Sequence, residues 1–214
     1  MKKYVAELLG TFILIFCAAG SASVNEITNG SLTLLGCALV SGLIIMSLIY
    51  ALGNISGAHL NPAVTIGFAL NKNFNWNLVL PYILCQSIGG IAAGMLLKFL
   101  LPGSLLLGST LPVAGVMQSF ILELITTFIL MFVILHVATG SKEQGMYAGI
   151  AIGSVIVANI LFTGPISGGS MNPVRSLAPA FATNNFNHLW IYMIAPVSGS
   201  ILAVLCYRYF KEKK

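Results

Sequence analysis

Six long apolar runs, separated by short polar segments, dominate the sequence. They cover roughly residues 4–24, 32–53, 77–100, 118–139, 146–163 and 188–210. Each approaches or exceeds the ~20 residues that an α-helix needs to cross the hydrocarbon core of a bilayer. Two further apolar pieces, at about 61–70 and 172–182, are too short to cross and are typical of re-entrant or core helices. The pattern predicts an all-α membrane protein with six transmembrane helices and two short re-entrant half-helices.

The composition agrees with this pattern and excludes a soluble protein. Hydrophobic residues make up 57% of the chain and charged residues only 7%, whereas about a quarter of the residues in soluble domains are charged. The net charge of +5 could suggest a nucleic-acid partner. The basic residues cluster at the chain ends and in short loops, however, where membrane topology accounts for them. We therefore expect a lipid bilayer, and no nucleic acid, around this chain.

The distribution of Lys and Arg predicts the orientation in the membrane. An amino terminus in the cytoplasm, followed by six crossings, returns the carboxyl terminus to the cytoplasm. This orientation places most basic residues on the cytoplasmic side, as the positive-inside rule requires: Lys2, Lys3, Lys72, Lys142, Arg208, Lys211, Lys213 and Lys214. Lys98 then faces outward, and Arg175 lies in the second re-entrant region.

The chain repeats itself with an odd number of crossings in each half. The segment around Glu7 resembles the segment around Glu123, 116 positions later, and the segment around Asn61 resembles that around Asn172, 111 positions later. Each half therefore holds three spans, with a half-helix between the second and the third. We expect one domain, 1–214, built as an inverted repeat of about 1–110 and 111–214. Such repeats place their functional site near the midplane of the membrane, at short or broken helices.

Each half-helix begins at an Asn-Pro pair. Asn is a preferred N-cap, and Pro suits the first helical turn because its missing N–H costs nothing there. In an inverted repeat the two amino ends meet near the centre, and their partial positive charges repel cations. Because each Asn oxygen caps its helix, we expect its amide NH₂ group to donate into the lumen. The predicted pore centre comprises Asn61, Pro62, Ala63, Asn172, Pro173 and Val174.

The segments before the two caps are rich in Gly and Ser. Irregular backbone survives at membrane depth only where it is buried in protein or lines a wet path, so we expect its carbonyl groups to accept hydrogen bonds along the approach. The residues assigned to this approach are Gly57, Ala58, His59, Gly168 and Ser170. We expect His59 to line the path or to bond backbone, because no second ligand stands at metal spacing. Donors at the centre and acceptors on both sides suit a single file of water or hydroxyl-bearing solutes.

Three charged residues at membrane depth allow two interpretations each. Glu7 and Glu123 could form a proton relay, as in a proton-coupled transporter, or each could brace the backbone N–H groups of an irregular segment. Their mirrored positions favour the brace. Arg175 could be an interfacial side chain, but its place at the mouth of the predicted pore favours a donor for solutes and a barrier to cations.

No catalytic or cofactor-binding set is visible in the sequence. Cys17, Cys37, Cys85 and Cys206 all lie inside apolar runs without metal-ligand spacing, which is typical of buried thiols. We see no nucleophile–base pair and no metal cluster, so we expect neither an enzyme nor a metal or cofactor site.

The motifs resemble those of the major intrinsic proteins, the aquaporins and aquaglyceroporins, over nearly the whole chain. The resemblance is carried by residues 56–65 and 167–176, which contain Asn-Pro-Ala in the first half and Asn-Pro-Val in the second. It implies six tilted spans, two half-helices and a homotetramer with one pore in each subunit. Val174 departs from the alanine that is usual in the family, and we expect it to change only the local packing.

The resemblance also implies a selectivity filter of four residues: Ser41, Ile160, Gly169 and Arg175. Small residues at two of these positions imply a wider opening than in strict water channels. The stretch 159–175 is most similar to the nodulin-like intrinsic proteins and their bacterial relatives. This similarity implies passage of glycerol, urea and uncharged metalloid hydroxides such as boric or arsenous acid, together with water, across a bacterial inner membrane. A water-selective channel, a proton-coupled transporter and a non-conducting structural protein are the alternatives.

Overall fold

The computed structural model describes residues 1–141 and 145–210, and in these ranges the regular secondary structure is helical, with irregular connections between the helices. The expectations for Lys142, Lys211, Lys213 and Lys214 lie outside the described residues. The α-helices of the described part are α1 (Lys2–Ile27), α2 (Thr33–Ser56), α3 (Pro62–Leu70), α4 (Val79–Leu100), α5 (Val116–Ala138), α6 (Ala148–Ser167), α7 (Pro173–Thr183) and α8 (Leu189–Phe210). Six of them are long and apolar enough to cross a membrane, and α3 and α7 are the short ones. The predicted fold is confirmed.

The spans of the two halves pack in equivalent pairs, and each half-helix packs against a span of the other half. Helix α1 packs on α4 in the first half, as α5 packs on α8 in the second. Helix α2 contacts α6 and so joins the halves. The half-helix α3 packs on α8, and α7 packs on α4, so each half-helix rests on a span of the other half. The two amino ends are thereby fixed against each other.

Glycines allow these helices to approach at backbone distance. A Cβ atom built on Gly89 of α4 would lie 2.2 Å from the carbonyl oxygen of Leu8, and one on Gly199 of α8 would lie 2.1 Å from that of Leu124. Where α2 crosses α6, a Cβ on Gly153 would lie 2.6 Å from the Gly42 carbonyl oxygen. Small residues at such crossings are how membrane helices pack closely without a hydrophobic driving force.

A cation closes the carboxyl end of each half-helix. Lys98 of α4 donates to the carbonyl oxygen of Ala182 at 2.7 Å, at the end of α7. Arg208 of α8 donates to the carbonyl oxygen of Leu70, at the end of α3. Cations at this position satisfy orphan carbonyl groups and complement the negative end of the helix dipole. Lys98, which the charge pattern places alone on the outer side, thus has a structural partner there.

Candidate solute pathway

The two half-helices begin as their sequences predict. Asn61 is the N-cap of α3, with φ −157°, and its Oδ1 accepts a hydrogen bond from the Ala63 N–H. Asn172 is the N-cap of α7, with φ −147°, and its Oδ1 accepts from the Val174 N–H. In both helices proline occupies the first turn, where it removes no hydrogen bond.

The Asn amide groups also tie the two halves to each other. Asn61 Nδ2 donates to the carbonyl oxygen of Met171 at 2.8 Å, and Asn172 Nδ2 donates to that of Leu60 at 2.9 Å. From the sequence we expect the amide NH₂ group of each Asn to donate into the lumen. The structure commits one proton of each amide to the opposite segment, so each Asn has a single donor left for a passing solute.

Buried carboxylates hold the irregular segments that precede the caps. Glu7, 0% exposed, accepts hydrogen bonds from the backbone N–H groups of His59 and Leu60 at 3.0 and 2.8 Å and from Ser56 Oγ at 2.7 Å. Gln86 Nε2 adds a further bond to Glu7 at 2.7 Å. These contacts account for the carboxylate structurally and favour the brace over a proton relay.

The second carboxylate repeats this arrangement in the other half. Glu123, also 0% exposed, accepts from the N–H groups of Ser170 and Met171 at 2.9 and 2.8 Å and from Ser167 Oγ at 2.8 Å. Tyr192 completes the support by donating its hydroxyl to the Ser167 carbonyl oxygen at 2.8 Å.

Most carbonyl groups of the braced segments are left without a donor from the described part of the protein, whereas those of Leu60 and Met171 accept from the Asn amides. Ala58, Leu60 and Met171 adopt left-handed conformations with φ of 47°, 51° and 54°, which is unusual for residues other than glycine. Among the described residues, no hydrogen-bond donor meets the carbonyl oxygens of 57–59 or 168–170. Because unpaired carbonyl groups at membrane depth require water or solute, these segments provide acceptors along the path.

Two adjoining cavities lie along this path and share part of their lining. The first, the main cavity, contains both caps, the approach residues except Gly168, and a mostly apolar opposite wall that includes Ile45, Ile49, Leu130, Ile134, Ile152 and Ile156. The second, the vestibule, contains Gly168 and the ends of α1 and α2. One polar wall facing an apolar wall suits solutes that carry hydroxyl groups on one side.

All four expected filter residues lie where the two cavities meet. Ser41, Ile160, Gly169 and Arg175 line both cavities, and so does Ala18 of α1. Ser41 Oγ donates to the Cys37 carbonyl oxygen at 2.9 Å, so its hydroxyl faces the path as an acceptor. Sequence reasoning missed Ala18, because a lone alanine in an apolar span carries no signal.

Arg175 is held by a loop that sequence reasoning also missed. Its Nη1 donates to the carbonyl oxygen of Gly108, in the loop between α4 and α5. Thr110, in the same loop, donates a hydrogen bond from its Oγ1 to Ser176 Oγ at 2.6 Å. The guanidinium therefore lies at the cavity junction with at least one donor engaged by backbone.

His59 forms part of the cavity wall at the opposite end. It is 8% exposed, its Nδ1 lies 3.2 Å from Thr65 Oγ1, and its ring stacks on Phe68 with centroids 4.8 Å apart. The rings of Phe74 and Tyr82 also contact the imidazole, with centroids 4.7 and 5.3 Å away. The aromatic contacts fix the imidazole as a rigid wall, in agreement with its expected place on the approach.

Comparison with known proteins adds independent support. A family model described as Major intrinsic protein matches residues 1–207. Aquaporin NIP6-1 of Arabidopsis thaliana is 45% identical over 210 residues, covering 98% of this chain and 69% of that protein. Nodulin-26 of Glycine max is 44% identical over 208 residues, covering 97% of this chain and 77% of that protein. The X-ray structure of the aquaglyceroporin from Plasmodium falciparum superposes with a TM-score of 0.86 at 25% identity, covering 98% and 96% of the two chains.

These matches confirm the expected resemblance and the channel function that it implies. The matched residues include both Asn-Pro motifs and the four residues at the junction of the two cavities. The chain therefore belongs to the major intrinsic protein family, resembles its nodulin-like members, and is a multi-pass membrane channel for the passive movement of water and small neutral solutes.

Proposed function

We propose that this channel passes solutes larger than water, namely glycerol, urea and uncharged metalloid hydroxides such as boric or arsenous acid, while it excludes ions and protons. The observation that carries the proposal is the set of side chains at the junction of the two cavities. Ser41 and Gly169 are small, Ile160 offers no hydrogen bond, and Arg175 supplies donors. A junction of this kind admits a polyhydroxylated solute that turns its hydroxyl groups towards Arg175 and its other side towards Ile160.

Ion exclusion follows from charges that the path cannot avoid. The amino ends of α3 and α7 each place the equivalent of about half a positive charge at the centre, and Arg175 adds a full charge at the junction. At the centre a cation would lose its hydration shell against this field without a carboxylate to compensate it, because Glu7 and Glu123 accept hydrogen bonds from backbone N–H groups there. A neutral solute loses only hydrogen bonds, which the carbonyl groups and the Asn amides replace.

The remaining features of the proposal concern the cell. Lys2, Lys3, Lys72 and Arg208 lie at one end of the helical bundle, which supports an orientation with cytoplasmic termini and an outer vestibule. We further propose a homotetramer in a bacterial inner membrane. The apolar side chains exposed around the bundle, such as Leu80 at 64% and Phe99 at 79%, need lipid or neighbouring subunits to cover them.

The filter is tested by narrowing it at one position and measuring flux in proteoliposomes. Ser41→Phe should reduce glycerol and boric acid permeability more than water permeability. Gly169 is a poorer target, because its φ of +58° strains any larger residue. Ser47→Phe is the matched control: Ser47 lies on the same helix, is exposed on its outer side, and makes the same bond to its own helix, to the Leu43 carbonyl oxygen at 2.9 Å.

The outcomes separate the possible channel types. Selective loss of the larger solutes in Ser41→Phe, with unchanged Ser47→Phe, is the expected result. Water flux without glycerol, urea or boric acid flux in the unmodified protein would instead make this chain a water-selective channel. Equal loss of water and solutes in correctly inserted Ser41→Phe protein would contradict the proposed wide filter.

A further inference from the structure

A third carboxylate, Glu26 at the carboxyl end of α1, binds a loop that is distant in sequence. Its carboxylate accepts a hydrogen bond from Ser104 Oγ at 2.6 Å, from the Leu105 N–H at 3.0 Å, and from the Leu106 N–H at 3.3 Å. Ser104 Oγ in turn accepts from the Leu107 N–H at 3.0 Å. These residues belong to the irregular connection between α4 and α5.

The same pattern of hydrogen-bond donors occurs in the two irregular segments that precede the caps. Glu7 and Glu123 each accept one serine hydroxyl and two backbone N–H groups, and Ser56 Oγ and Ser167 Oγ each accept a nearby N–H. Charge-assisted bonds of this kind are stronger than neutral ones. Glu26 therefore braces its loop with the same set of donors that the other two carboxylates use. At the offset of 116 positions that relates Glu7 to Glu123, Glu26 corresponds to Lys142, so the inverted repeat does not require a carboxylate here.

The braced loop ends on the filter. Gly108 accepts the hydrogen bond from Arg175 and rests directly on α1, because a Cβ atom on Gly108 would lie 2.7 Å from the Ala19 carbonyl oxygen. Its φ of +70° also favours glycine. Only Leu107 separates Gly108 from Leu106, whose N–H group Glu26 holds. The carboxylate and the guanidinium thus act on the same short stretch of backbone.

We propose that Glu26 is a positioning residue for the filter and sets the position of Arg175 through residues 104–108. Without the brace, the loop loses three hydrogen bonds, the Gly108 carbonyl group moves, and Arg175 no longer keeps one fixed place at the cavity junction. The opening then widens for solutes larger than glycerol. This inference rests on the proposed assignment of Arg175 to the filter.

The test measures the ratio of erythritol to water permeability in proteoliposomes. We expect Glu26→Ala to raise this ratio several-fold. Ser104→Ala, which removes one of the three bonds and leaves the vestibule charge intact, should raise it by less. The matched control is Asn25→Ala, because Asn25 lines the same vestibule and its side-chain oxygen has no hydrogen-bond partner among the described residues.

The double variant Glu26→Ala/Arg175→Ala shows whether Glu26 acts through Arg175. A merely structural role of Glu26 would not depend on Arg175. Arg175→Ala should raise the ratio by itself, and Glu26→Ala should add nothing in that background. The inference is overturned if Glu26→Ala leaves the ratio unchanged while Arg175→Ala raises it, or if the two increases multiply. If Arg175→Ala itself has no effect, the filter assignment fails instead. If the Glu26→Ala protein does not insert into the membrane, the same comparison of permeability ratios is made with Ser104→Ala, alone and combined with Arg175→Ala.

Discussion

Replacing Glu123 by Gln tests whether the buried carboxylate is a brace or a proton carrier. The substitution keeps the size of the side chain and removes its charge. One carboxylate oxygen of Glu123 accepts from Ser167 Oγ and the Ser170 N–H, and the other accepts from the Met171 N–H. A glutamine can keep the first two bonds, but its NH₂ group then faces the third donor.

The structure gives the size of the expected loss. An orphaned buried N–H costs about 1–3 kcal/mol, and each retained bond weakens by about 1 kcal/mol when its acceptor becomes neutral. Removing a buried charge recovers part of its desolvation cost. We therefore expect the free energy of unfolding to fall by about 3 kcal/mol for Glu123→Gln. Thr127→Val is the control: Thr127 is equally buried and donates one hydrogen bond, at 2.7 Å, to the Glu123 backbone, so its loss should be about 1 kcal/mol.

The assay is unfolding of the purified variants in mixed micelles, combined with water flux after reconstitution. Glu123→Gln should be clearly less stable than Thr127→Val and should lose flux in proportion to the folded protein. Equal stability of the two variants would refute the brace. Unchanged stability together with lost proton coupling of uptake would restore the relay that the mirrored positions argue against.

Further predictions concern side chains around the filter and the second half-helix. Ala18→Leu should reduce glycerol flux more than water flux, because Ala18 lines both cavities. Ala22 lines only the vestibule, so Ala22→Leu should leave the ratio of glycerol to water flux unchanged. The same flux ratio in both variants would contradict this. Gly90→Ala should impair insertion or flux, because its Cβ would lie 2.2 Å from Val174 Cγ1, and Val174→Ala should restore both in the double variant; absence of rescue would place the clash elsewhere. Gly153→Val should prevent folding by separating α2 from α6, as measured by protease resistance.

Much of the fold could be predicted because lipid leaves few choices for a backbone. The apolar runs located all six spans, and the Asn-Pro pairs located the first residue of each half-helix. The helix ends were less accurate: α2 was expected to end near residue 53 and α6 near 163, but they end at Ser56 and Ser167. Each continues until a glycine in the left-handed conformation, Gly57 or Gly168, with φ of 87° and 85°, ends it.

The parts of the site that escaped prediction depend on contacts between distant residues. Glu7 and Glu123 were recognisable because they occupy equivalent positions in the two halves of the repeat. Glu26 and Gly108 have no mirrored copy, and their partners lie about 70 to 80 positions away, so no local pattern reveals them. The second bond of each Asn amide was missed for the same reason, because its acceptor belongs to the other half.

The proposed wide, ion-excluding filter is tested most directly by one reconstituted preparation of the unmodified chain. Boric acid, glycerol and water permeability and membrane conductance would be measured on the same vesicles, with protein-free vesicles as the control. The filter of Ser41, Ile160, Gly169 and Arg175 predicts that all three neutral molecules pass faster than in the control, without added conductance. Water passing alone, or an ionic current that grows with protein content, would contradict it.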